Sequence, residues 1–149
     1  MEVTDRIAQL IATFCCSIFA GAALYINLVE HPARMECGTE VAATEFPLSY
    51  KRAAVMQASL AILGFLASLF VWLRGATVWW LVGGISLVLV VPITLIVIMP
   101  TNRKLLDPSL DKRSDGTAML LTKWAKLHAV RTFLSILALL IFLYNLTFK

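Results

Sequence analysis

The chain has 149 residues, of which 60% are hydrophobic and only 15% charged. With a mean hydropathy of +0.83 it is too apolar for an ordinary water-soluble domain of its size. A net charge of +4 does not mark a nucleic-acid binder, because the basic residues flank apolar windows and accompany no nucleic-acid motif.

Charges are absent over four windows, residues 7–29, 53–73, 75–102 and 132–148, which hold 23, 21, 28 and 17 residues. A helix needs about 20 apolar residues to cross a hydrocarbon core about 30 Å thick. None of the windows alternates with the period of two that a membrane barrel requires, so the spans are helices. The expected fold is all-α, a single membrane-embedded four-helix bundle with antiparallel up-down connectivity. Its spans fall at about 5–31, 51–73, 76–99 and 122–147, and its two long loops at about 32–50 and 100–121.

The first window resembles a signal peptide only superficially. Its leading segment sets Glu2 and Asp5 against a single Arg6, and it is too long, so it reads as a retained helix. This helix is expected to end near His31, since Pro32 disfavours helical backbone in the residue before it. The next segment, with Phe46 to Tyr50 amphipathic, is expected to lie on the membrane surface. Helices two and three form a hairpin through the Arg74-Gly75 turn. In helix three the Trp79-Trp80 pair suits an interface, Pro92 predicts a kink and Pro100 an end. The last window is short, so its helix borrows length from Met119 to Arg131. Gly21 and Gly64 are expected at helix contacts, where small residues allow close approach. Cys15 and Cys16 are adjacent within a span and Cys37 lies in a loop, a pattern with no metal or disulfide spacing.

Ten of the thirteen basic residues lie on the side of the two long loops, and only Arg6, Arg74 and Lys149 on the other. The positive-inside rule then puts both termini outside and the long loops in the cytoplasm.

Antiparallel alternation gathers four helix ends at that cytoplasmic face. They carry Asn27, Glu30, His31 and Arg34; Tyr50, Arg52 and Gln57; Thr101, Asn102 and Arg103; and Trp124, His128 and Arg131, with both histidines of the protein among them. Trp124, His128 and Arg131 stand at i, i+4 and i+7 and share a helix face. Polar groups at membrane depth are expensive, so a cluster drawn from separate helices is a candidate site. The bland readings are a histidine at a helix dipole, an arginine snorkelling to phosphate and a tryptophan anchored at the interface. A metal or haem held by His31 and His128, with Glu30 as a third metal ligand, is an alternative, although no one helix carries a paired ligand motif. The partners expected are the bilayer and a small apolar or aromatic substrate, with self-association left open.

The Glu30-His31-Pro32-Ala33-Arg34 run, Pro100-x-Asn102 and Trp124-x-x-x-His128-x-x-Arg131, in this order against four spans, resemble the anthrone oxygenase-like family of small membrane proteins. The resemblance implies an oxygenase that inserts oxygen into a flat, acidic aromatic without an evident cofactor. His128 or His31 would then serve as base, Arg131 and Asn102 as oxyanion donors, and Trp124 and Tyr50 as walls for the ring. A metal- or haem-dependent oxidoreductase and a non-enzymatic lipid- or partner-binding protein are the competing readings.

Overall fold

A computed structural model describes residues 2–148, and all regular structure among them is helical. Four helices are long and apolar enough to cross a membrane: α1 (Val3–Glu36), α2 (Thr39–Leu73), α3 (Val78–Leu105) and α4 (Asp115–Phe148). Each packs mainly on its neighbours in the cycle α1–α2–α3–α4–α1, which is the up-down bundle expected from the alternation of spans. The turns after α1 and α2 are tight, and each places a glycine in the left-handed region, Gly38 at φ 96° and Gly75 at φ 93°.

The helices overrun their charge-free windows. At 1.5 Å per residue, the 34 residues of α1 and α4 and the 35 of α2 reach about 50 Å, roughly 20 Å beyond a hydrocarbon core. The helix of α1 therefore does not end at Pro32. Its ladder widens into a π turn at Ile26–Glu30, where the His31 N–H bonds to the Ile26 carbonyl, and α-helix resumes through Glu36. The same device precedes Pro100 in α3: the π turn Thr94–Ile98 is closed by the Met99 N–H on the Thr94 carbonyl. Proline lacks a donor and crowds the carbonyl four residues back, and a widened turn just before the ring absorbs both defects. The segment expected on the membrane surface is likewise helical, since α2 runs unbroken from Thr39 through Pro47. Pro92, which has no N–H to donate, interrupts the regular helix of α3 only at Leu89, whose own N–H still bonds to the Ile85 carbonyl at 2.9 Å.

Two apolar clusters fill the bundle. The larger joins Ala12, Cys16, Phe19, Ala61, Trp80, Leu87 and Phe142, and the smaller joins Ile26, Ala42, Phe46, Ile98, Leu121 and Trp124 at the polar end. Small residues draw the helices together. A Cβ on Gly84 would lie 1.9 Å from Ser68 Oγ, and one on Gly64 would lie 2.7 Å from a Leu87 methyl. Gly21, expected in such a contact, instead meets nothing within 4 Å and is exposed. The outward faces carry Leu10, Phe14, Leu63, Ile96 and Leu140, the apolar surface that lipid solvates.

Candidate functional site

Between the two apolar clusters lies a layer of buried polar side chains: Gln57, His128, Arg131, Thr132 and Ser135. On α4 the spacing Trp124, His128, Thr132, Ser135 keeps one stripe facing the interior, and Arg131 lies one position from it.

The π turn of α1 presents Asn27 to this stripe. Asn27 Nδ2 donates to the Ala125 carbonyl at 3.1 Å, and its Oδ1 lies 2.7 Å from His128 Nδ1. Thr132 Oγ1 is 2.6 Å from the same Oδ1 and 3.2 Å from the Ala23 carbonyl. A backbone carbonyl can only accept, so the atom of Asn27 facing Ala125 must be the amide nitrogen and the atom facing His128 the oxygen. His128 therefore carries its proton on Nδ1. In the neutral ring, Nε2 is left with a lone pair.

Aromatic rings fix this imidazole from its other side. Trp124 lies 4.8 Å from the His128 ring centre, 5.3 Å from that of His31 and 5.2 Å from Phe46, the last edge-on, while Phe46 stacks on Tyr50 at 5.6 Å. Asn102 is fully buried and donates through Nδ2 to the Tyr50 hydroxyl at 3.1 Å. Arg131 donates to Gln57 Oε1 at 2.6 Å and lies 5.6 Å from the Phe19 ring centre. Arg34 pairs with Glu30 and, at 2.9 Å, with Glu45, which ties the end of α1 to the start of α2.

These groups surround a cavity of about 310 Å³, at the lower end of the roughly 300–1,000 Å³ usual for small-molecule sites. Eight of the candidate residues line it: Glu30, Arg34, Tyr50, Arg52, Gln57, Trp124, His128 and Arg131. Asn27, His31, Thr101, Asn102 and Arg103 do not. Asn27 and Asn102 stand behind lining residues and bond to them, and His31 is buried against Trp124. Lining residues that were not candidates for the site include Ile26, Phe46, Ser49 and Met56. Thr132 and Glu45 were also missed. Thr132 could have been found from its four-residue step beyond His128, whereas nothing local marked Glu45 as the partner of Arg34. A second, strongly apolar cavity of about 220 Å³ adjoins the first between α2 and α3, and Tyr50, Ala54 and Arg131 belong to both.

The metal set of His31, His128 and Glu30 is not assembled. Among the described residues no three His, Cys, Asp or Glu side chains come together as metal ligands. Glu30 is engaged by Arg34, and His128 Nδ1 by Asn27.

The fold and cavity define a small four-helix membrane protein with a ligand-sized pocket at one end of the bundle, mostly apolar and furnished with a few polar side chains. The sequence profile of the anthrone oxygenase family matches residues 46–141, about two thirds of the chain, and the protein belongs to that family. The match includes Tyr50, Gln57, Asn102, Trp124, His128 and Arg131, and begins after Asn27, Glu30, His31 and Arg34. No curated protein and no solved structure matches the chain.

Proposed function

We propose that the protein is a membrane oxygenase acting on a flat, acidic, largely apolar aromatic of the anthrone type, with His128 as the general base. The family supplies the reaction class. The observation that carries the residue assignment is the Asn27–His128 pair, which commits the imidazole to the tautomer with Nε2 free to accept a proton.

The chemistry balances without further reactants. His128 Nε2 removes one proton from the ring methylene, and the resulting enolate-like carbanion transfers one electron to dioxygen. Recombination of the carbon radical with superoxide, and protonation, give a hydroperoxide. Loss of water then leaves a ketone, so that one methylene and one dioxygen become one carbonyl and one water. Arg131 is the donor for the developing enolate oxygen, with the Tyr50 hydroxyl, held by Asn102, beside it. Trp124, Phe46 and Tyr50 supply the flat walls. An apolar substrate and dioxygen both partition into the bilayer, and the site would sit at its cytoplasmic face.

The test is oxygen uptake by detergent-purified protein given anthrone, with anthraquinone measured as product. Uptake is expected to be abolished or reduced about 10²–10⁴-fold in His128→Gln, the usual range for removal of a general base. An unchanged rate in that variant would sink the assignment.

A further inference from the structure

The charges around the cavity are unevenly paired. Arg34 is met by two carboxylates, Glu30 and Glu45. Arg131, with only 8% of its surface exposed, is met by a neutral amide oxygen and an aromatic ring, and no carboxylate lies within ion-pair distance of it among the described residues. Its Nε has no hydrogen-bond partner, and neither has Nε2 of Gln57, the residue it holds. A guanidinium stays protonated at any physiological pH. A buried ion without a counter-charge is unfavourable, so a protein that keeps one in its interior is poised to recover the cost from a ligand.

Resting on the reading of this cavity as a substrate site, we infer that it holds its ligand as a monoanion: an apolar aromatic whose one ionised oxygen, an enolate formed in the site or a carboxylate carried into it, pairs with Arg131. The two cavities meet at Arg131, so the anionic oxygen would be held where they join, with apolar surface on either side. An aromatic carboxylate has its charge without any proton transfer and no methylene to oxidise. It would occupy the site as an inert ligand and inhibit oxygen uptake competitively.

The experiment measures binding by fluorescence, near neutral pH in a non-ionic detergent, of anthracene-2-carboxylate and of its methyl ester. The wild type is expected to prefer the acid by about tenfold or more, the range of one charge-assisted hydrogen bond. Arg131→Gln should lose the preference, and Arg131→Lys, which keeps the charge without the planar fork, should retain part of it. Equal binding of acid and ester by the wild type would overturn the inference. So would a preference that survives Arg131→Gln but is lost in Arg52→Gln, since Arg52 is exposed on the cavity's rim. Anthrone-dependent oxygen uptake on the same preparations separates the two proposals. An acid preference that depends on Arg131, with no uptake, removes the oxygenase reading and leaves the anion site standing. Uptake without an acid preference does the reverse.

Discussion

Asn27 Oδ1 and His128 Nδ1 lie 2.7 Å apart, joining the widened turn of α1 to the middle of α4. The asparagine spends its other amide atom on the α4 backbone at Ala125, so that it is clamped to the helix whose imidazole it orients.

Asn27→Leu should therefore lower kcat by about tenfold or more with little change in KM, a smaller loss than removal of the base itself. The variant frees the imidazole to adopt either tautomer and leaves the buried Nδ1–H short of an acceptor, while the Thr132 hydroxyl keeps the Ala23 carbonyl. It should also lose about 1–3 kcal/mol of stability. A kcat unchanged in a folded Asn27→Leu protein would show that His128 needs no orientation, or does no proton transfer.

Among the described residues the two histidines and Glu30 do not come together as a metal set, and the proposed base chemistry calls for none. Treatment with a strong chelator followed by gel filtration should leave anthrone-dependent oxygen uptake unchanged, and His31→Phe should retain most of it, because His31 packs beneath Trp124 and lines neither cavity near Arg131. Loss of uptake on chelation, restored by one added metal, would contradict this.

How much of this arrangement the sequence carries depends on the kind of information required. The run Trp124, His128, Arg131 is a matter of helical phase on one helix, and all three residues are buried at the cavity as their spacing implies. The convergence of four helix ends follows from antiparallel connectivity, which short turns enforce. Helix continuity through Pro32, Pro47 and Pro100 is a different matter. Local rules treat each proline as a stop; π turns relieve the conflict before Pro32 and Pro100, whereas α2 runs through Pro47 without one. A π turn has no residue signature of its own. The pairing of Arg34 with Glu45 was similarly hidden, because it required the second helix to begin at Thr39. Gly21 and Gly84 look alike as glycines in apolar runs, and only the rotation of each helix separates the exposed one from the packed one.

That contrast is measurable. Gly84→Ala should destabilise the bundle by about 1–3 kcal/mol, the usual cost of overpacking, because its Cβ would fall 1.9 Å from Ser68 Oγ. Combining it with Ser68→Ala should restore part of the loss. Gly21→Ala should be neutral or stabilising by up to about 1 kcal/mol, since nothing lies near and alanine favours helix. Thermal or denaturant unfolding of the detergent-solubilised variants reads all three, and a Gly84→Ala protein as stable as wild type would refute the contact between α2 and α3.

Cys37 offers a probe of sidedness already present in the chain. It is exposed in the turn between α1 and α2, while Cys15 and Cys16 are buried. If the basic end of the bundle faces the cytoplasm, a membrane-impermeant maleimide added to intact cells should leave the protein unlabelled and should label it at Cys37 in inverted vesicles. Labelling in intact cells, absent from Cys37→Ser, would reverse the orientation.

The paired π turns also make angular position along α1 and α3 a local variable. One residue of an α-helix corresponds to about 100° of rotation, and each π turn shifts the phase of everything beyond it relative to an unbroken ladder. The lipid-facing stripe of Val3–Tyr25 and the interior face carrying His31 and Arg34 are therefore set independently, and so are those before and after Thr94–Ile98 in α3. Tightening either turn to α geometry with no residue removed would leave a continuous α-helix of nearly the same length and hydropathy, still fit to cross a bilayer. Its polar end, however, would be swung by about a quarter of a revolution, carrying Arg34 or Asn102 away from the residues they now meet.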